Sequence, residues 1–432
     1  MARENEAPTI GVIGAGILGL TAALRFVQAG ARVVVIERED RVGGLVASFE
    51  VGGTHLERFY HHLFRSDRDV QELIAEVGLG EELVWPRPDT SVLYGGQIHG
   101  LDSALDVLRF SPLRMADRIR LGAAIAYLKL EGNFRRLEGK TAAAWIRRWM
   151  GPEVFRILWE PLLRSKFGDY AEQIALPWFW SRVHLRSPNL GYLRGGFYRL
   201  YERLAQVLED AGARLQLGTE VRSVAAIDGK VIVETSLGAE TFDRLLVTVP
   251  TRLFMRLAAG LPEEYRARYD YGDFYGAHSV ILVLSRPLMT GIYWLNLNDP
   301  GFPFLAAVEH TNLLPPSDYD GRHIVYLGNY LPMSAELFGA PDEEVLRRFL
   351  EALPRINPEF DPSWVQESYV FKAPYAQPIV TVDYHKHIPP HDTPLPGVFL
   401  ANMFQVYPQD RGQNYSVRMA NRVAKDLLKT LP

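Results

Sequence analysis

The sequence predicts an α/β protein. It comprises a Rossmann-type dinucleotide-binding domain, discontinuous along the chain, with a helical cap and a second, sheet-based α+β domain that carries the substrate. Three observations predict it. An uninterrupted apolar run, Ile10–Ile13, leads directly into Gly14-x-Gly16-x-x-Gly19 and a helical stretch to about Ala29. A second apolar strand, Arg32–Ile36, ends on an acid, Glu37, at the distance expected of a ribose-binding carboxylate. Beyond residue 100 the pattern turns helical and aromatic, and from about Ala277 to Lys372 it turns to alternating strands.

The fingerprint comes first. Gly14 permits the tight turn after the strand, Gly16 lets backbone approach a pyrophosphate, and Gly19 lets the helix lie close on the sheet. The helix N-terminus then meets the phosphates with unpaired N–H groups and the positive end of its dipole. Composition narrows the class further. The chain has 432 residues, enough for two domains, a net charge of −4 that gives no reason to expect nucleic acid, and no cysteine. Disulfides and thiol catalysis are thereby excluded. Ala7–Leu24 is uncharged for 18 residues, but its glycines fall at nucleotide-binding spacing and acids precede it, so it reads as the fingerprint and not as a membrane span. The expectation is a cytoplasmic protein whose polar residues 1–7 are disordered.

After Glu37 comes Asp40-Arg41-Val42-Gly43-Gly44. This extension resembles flavoproteins of the amine oxidase, protoporphyrinogen oxidase and phytoene desaturase superfamily, and the resemblance implies non-covalent FAD. It also implies the cofactor contacts: Gly14, Gly16, Gly19, Glu37, Arg38, Gly43 and Gly44 at the adenosine and pyrophosphate, and Val221 with its backbone toward the adenine. Asn402, Gln413, Asn414 and Tyr415 complete the set near the C-terminus. Ala401-Asn402 stands where the family has Gly-Asp, and an Asn can still donate to a phosphate or ribityl oxygen. The final helix, to about Lys429, would point its N-terminus at the flavin pyrimidine.

In order along the chain, the sequence predicts a helix over about Asp67–Val77 and a hairpin around Tyr94-Gly95-Gly96, then helices from Leu101 to about Trp180. A helix follows Gly195-Gly196 to about Glu209, then strands at Arg214–Leu217, Lys230–Thr235, Arg244–Val249, Ser279–Leu284, Phe304–Glu309, His323–Leu327 and Gly397–Ala401. The implied division is 8–100, 190–250 and 390–432 for the nucleotide domain, 101–189 for the cap and 251–389 for the substrate domain. Between Arg109 and Arg148 ten Lys/Arg face three Asp/Glu, an excess of +7. That reads either as a solvated helical face or as a surface for peripheral contact with anionic lipid.

Candidate chemistry rests on three residues, His62, Arg186 and Tyr60. His62-Leu63-Phe64, Lys166-Phe167-Gly168 and Arg182-Val183-His184-Leu185-Arg186 are similar to three motifs of UDP-galactopyranose mutase. Those motifs place His62 at the flavin, Phe167 on the substrate base and Arg186 on the substrate diphosphate. Ala306 and Phe304 stand where the mutases have an Arg and a Tyr, which argues against mutase activity. Amine oxidases hold a water at the flavin with a Lys, and no lysine lies within Tyr265–Leu297. His55, His61 and His62, and His385, His387 and His391, lack the carboxylate or Cys company of a metal site, so none is expected. Trp145, Trp149, Trp159, Trp178 and Trp180 read as core or as a substrate platform.

The expected protein is an FAD-dependent oxidoreductase acting on a small molecule, anionic or lipophilic, by hydride transfer to flavin N5. The alternatives are a non-redox flavin isomerase of a sugar nucleotide and a membrane-associated flavoprotein without turnover.

Overall fold

The computed structural model describes residues 7–431, so the expectation for residues 1–6 lies outside the described residues. Five short apolar strands form one parallel sheet in the order Arg214–Gln216, Arg32–Ile36, Thr9–Ile13, Arg244–Val247, Val398–Leu400. Runs such as RVVVI and TIGVI, apolar on both faces, are what a sheet covered on both sides requires. Register aligns their carboxyl ends, with Ile13 opposite Ile36 and Val247, and Val247 opposite Leu400. The glycine turn, Glu37 and Asn402 each follow one of these strands, so all three sit along the sheet's carboxyl edge, where open α/β sheets bind ligands. The helix Ile17–Gln28 covers one face, with Leu20, Ala22, Ala23 and Phe26 fully buried, and packs beside Tyr198–Asp210 and Gln413–Leu428.

The second sheet has seven strands, ordered Val365–Pro378, Phe274–Leu284, His323–Leu331, Ala306–Glu309, Ile292–Leu297, Asp89–Tyr94, Gln97–Gly100. All its pairings are antiparallel except Ile292–Leu297 with Asp89–Tyr94. The hairpin that the sequence groups with the first nucleotide segment thus belongs to the second sheet. A turn signal such as Gly95-Gly96 fixes a hairpin but not the sheet that its outer edge joins. A separate antiparallel sheet holds Val221–Ile227, Lys230–Thr235 and Gly238–Phe242. The cap, from Ala104–Arg109 to Leu176–His184, is helical as expected and has its own core around Trp178, Phe179 and Phe167. Most of the tryptophans settle as core: Trp178 is fully buried, and only Trp149 is well exposed.

Candidate cofactor and substrate site

The fingerprint is built as its glycines require. Gly14 has φ +106°, and a Cβ on Gly19 would lie 1.9 Å from the Gly14 carbonyl oxygen, so only glycine lets this helix start against the strand. At Gly16 the position of a Cβ is open, with nothing within 4 Å. Gly16 caps the helix without a side chain, so first-turn N–H groups face that space. The Gly43-Gly44 turn lies alongside: Gly43 N donates to the Ala15 carbonyl at 3.0 Å, and a Cβ on Gly44 would touch Gly16 Cα at 3.5 Å. Glu37 is half-buried at the end of its strand, where Oε2 accepts from Ala15 N at 2.8 Å and Oε1 from Glu39 N at 3.0 Å. Each oxygen keeps a lone pair for a ribose hydroxyl. Val221 opens its strand half-buried beside this edge, since Thr219 N donates to the Glu37 carbonyl at 2.8 Å.

Arg38 does not join the site. Its side chain is 72% exposed and turns onto the neighbouring carboxylate of Glu39, with Nη2 to Oε1 at 2.8 Å. Asn402 also departs from expectation. Its amide gives both hydrogens to protein, to the Val249 carbonyl at 2.9 Å and Thr251 Oγ1 at 3.2 Å, while Oδ1 accepts from Phe404 N. It therefore caps the turn Met403–Gln405 and has no donor left for a cofactor.

At the far end of the site stands the N-terminus of Gln413–Leu428. Gln413 and Asn414 are both buried, and both keep an amide nitrogen without a hydrogen-bond partner. Their oxygens are used: Gln413 Oε1 accepts from Tyr201 Oη at 3.3 Å and Asn414 Oδ1 from Val70 N at 3.2 Å. Two unpaired buried donors at a helix N-terminus are costly unless an acceptor completes them. Tyr415, half-buried, lies beneath the Arg418 guanidinium, 5.7 Å from its ring centre. The open glycine cradle, the carboxylate at the strand end and the orphaned carboxamides all fit an adenine dinucleotide with a flavin end.

His62 and Arg186 lie close enough for the arginine's charge to act on the imidazole, although the Arg186 side chain is exposed. Burial, with the Arg186 charge second, holds the His62 imidazole down to about 3, so it is neutral throughout the physiological range. Its Nδ1 is buried without a partner, and its ring meets the edges of Phe64 at 5.3 Å and Trp294 at 6.1 Å. Arg186 donates to Thr90 Oγ1 at 3.1 Å and makes no ion pair among the described residues. Tyr60 stands edge-on to Trp294 at 4.9 Å, and burial raises its phenol well above the usual range. Phe304, by contrast, packs on Phe349 at 5.0 Å in the core of the second sheet, away from this cleft, and Ala306 is fully buried.

Sequence reasoning did not foresee the charged group beside His62. Lys166, Arg182 and Arg411 converge on Asp410, with Tyr330 and Gln377 around them. Lys166 and Arg182 stood inside motif matches, and Asp410-Arg411 was visible as a charged pair in a stretch otherwise uncharged. Nothing marked Tyr330, because its strand runs to Leu331, beyond the expected end at Leu327. On the strand Phe274–Leu284, His278 is stacked on Phe338 at 5.1 Å, and its cross-strand partner Lys372 is held by Asp342 at 3.0 Å. Among the described residues no three His, Asp or Glu side chains are grouped to hold a metal.

Glu37→Ala is expected to weaken FAD binding by about 1–3 kcal/mol, the cost of the charge-assisted ribose contacts. Fluorimetric titration of the apoprotein with FAD measures it.

Comparison with known proteins agrees with this geometry. Carotenoid phi-ring synthase of Streptomyces griseus is 26% identical over 298 residues, covering 61% of this chain and 57% of that protein. The chain spans about half the length of the curated relatives it matches. A putative protoporphyrinogen oxidase from Exiguobacterium sp. 255-15 superposes with a TM-score of 0.79 at 20% identity, over 98% of this chain and 100% of that one. Reduced UDP-galactopyranose mutase superposes with a TM-score of 0.77 at 16% identity, over 98% and 96%. At those identities the superpositions establish the fold. The model of the flavin containing amine oxidoreductases matches residues 18–409. The chain therefore belongs to the family of flavin containing amine oxidoreductases.

Proposed function

We propose that the protein oxidises or desaturates an anionic organic substrate by hydride transfer to FAD. The carrying observation is neutral His62 beside Arg186, an exposed guanidinium that makes no ion pair among the described residues, and the unpaired Gln413 and Asn414 donors support the flavin end of the reading. Bound FAD supplies the hydride acceptor. The carboxamides and the helix N-terminus supply donors toward developing negative charge. His62 and Tyr60, both uncharged, line the site with aromatic rings and add no charge at neutral pH. Arg186 offers a fork to a carboxylate or phosphate of the substrate. The nucleotide unit is read as 8–100, 190–250 and 390–432 with the hairpin from Asp89 given to the substrate sheet, the cap as 101–189 and the substrate unit as 251–389. Its support is that all five parallel strands fall in the first three segments. Acceptor stoichiometry tests the redox reading: one acceptor is consumed per product. Conversion of UDP-galactopyranose by the dithionite-reduced enzyme without acceptor would overturn it.

The cap supplies a lipid-docking surface in the same reading. Leu105, Leu108, Met115, Ile119, Tyr127 and Leu130 are exposed on its first helices, Leu130 at 85%, among Arg109, Arg114, Arg120 and Lys129. Exposed apolar side chains mixed with cations suit an anionic bilayer surface. Among the described residues no helix is long and apolar enough to cross a membrane. Co-sedimentation with phosphatidylglycerol vesicles and none with phosphatidylcholine is expected; equal behaviour with both would remove the proposal.

A further inference from the structure

The charged group beside His62 has more cation than it can use internally. Lys166 Nζ lies 3.0 Å and Arg182 Nη1 2.8 Å from the same oxygen, Asp410 Oδ2. Asp410 Oδ1 accepts from Arg411 N at 3.1 Å and Gln377 Nε2 at 3.3 Å, and the Arg411 guanidinium stands 3.9 Å away. Asp410 is thus fully subscribed, and among the described residues it is the only carboxylate that pairs with any of the three cations. The Lys166 side chain is 9% exposed. Burying a charge is expensive unless it is paired; Lys166 and Arg411 are the more buried cations while Arg182 reaches solvent, and three cations against one anion leave two in excess. The remaining neighbours add no negative charge. Arg411 Nη2 donates to Tyr330 Oη at 2.8 Å, and Trp178 lies 5.8 Å from Lys166 and 5.2 Å from Arg182. Burial would raise Tyr330, but Arg411 and Lys166 overrule it and bring the phenol down to about 8, so at pH 7 it remains mostly neutral. Donors stay free as well: Lys166 uses one of its three toward Asp410, and Arg182 one of its five.

The geometry points to an anion subsite formed by Lys166, Arg182 and Arg411 that takes a phosphate or a pair of carboxylates on the substrate. Asp410 serves as the positioning residue that holds the three cations in one place. This deepens the proposed function and rests on it for the identity of the bound group as substrate. The balance also opposes cationic substrates, since a protonated amine would meet two uncompensated like charges.

Calorimetric titration of the FAD-loaded protein with inorganic phosphate, and separately with malonate, at constant ionic strength set by chloride, tests it. One saturable site per chain is expected for at least one probe. Phosphate alone would mark a phosphorylated substrate, malonate alone a polycarboxylate. Arg182→Gln should weaken binding about tenfold, and Asp410→Asn, which raises the excess charge, should tighten it by a similar factor. A purely structural cluster would not bind more tightly when its one carboxylate is removed, so the second variant decides even where the first folds poorly. Heats no larger than those of chloride, or an Asp410→Asn protein that binds no more tightly than wild type, would overturn the subsite. FAD content of the same preparation separates the two ideas. Absent FAD ends the flavoenzyme reading, whereas an FAD-loaded protein without anion binding ends only this one.

Discussion

Gly19→Ala is expected to abolish FAD retention and to lower the melting temperature of the apoprotein as well. Its Cβ would enter the Gly14 carbonyl oxygen at 1.9 Å and the carbonyl carbon at 3.1 Å, and neither is a side chain that can rotate away. The helix would have to lift from the strand Thr9–Ile13, which disturbs a core in which Leu20 and Ala23 are fully buried. Overpacking of this kind costs about 1–3 kcal/mol, before any loss of the phosphate cradle. Gly16→Ala provides the contrast. Nothing stands within 4 Å of its Cβ, so the apoprotein should melt as wild type while FAD is lost to the methyl group in its path. The flavin band relative to the protein band, with melting curves of both apoproteins, reads the difference. Full flavin content in Gly19→Ala would show that the turn is not built as described.

Asn414→Asp and Gln413→Glu should weaken FAD while leaving the apoprotein intact. Each keeps the oxygen that Val70 N or Tyr201 Oη already donates to, and each deletes the amide hydrogens that have no partner. Losing a hydrogen bond to a buried polar partner costs about 1–3 kcal/mol, so each change should raise the FAD dissociation constant by about 5- to 150-fold. The new carboxylates are buried, which costs stability, but they stand at the helix N-terminus, whose dipole and free N–H groups offset that cost in the absence of cofactor. Equilibrium titration with FAD and apoprotein melting together separate a ligand contact from a structural role. Unchanged FAD affinity in both variants would mean that these donors face something else.

The parallel sheet and its glycine turn were legible because each signal was local. RVVVI and the glycine spacing lie within 30 residues, and the strand ends of the structure repeat them almost residue for residue. Pairing partners were less legible. The strand Asp89–Tyr94 lies 203 residues from its parallel neighbour Ile292–Leu297, counted between the paired Asp89 and Ile292, and no pattern within either names the other. The same distance hid the anion subsite. Lys166 and Asp410 are separated by 244 positions, and only the packing of cap against the C-terminal stretch brings them to 3.0 Å. Asn402 and Arg38 show the reverse limit. Their residue types suit a cofactor, but Thr251 and Glu39 sit close enough to take their donors first.

The most direct test of the account is anaerobic reduction of the FAD-loaded protein by reductants of opposite charge, followed at the flavin band. Coproporphyrinogen III, a tetra-acid, and putrescine, a dication, are chosen because the cleft carries Arg186 and two uncompensated charges at Lys166, Arg182 and Arg411. The account predicts that putrescine leaves the flavin oxidised and that any bleaching by the tetra-acid is slowed in Arg186→Ala. Rapid bleaching by putrescine, with the tetra-acid inert, would contradict it.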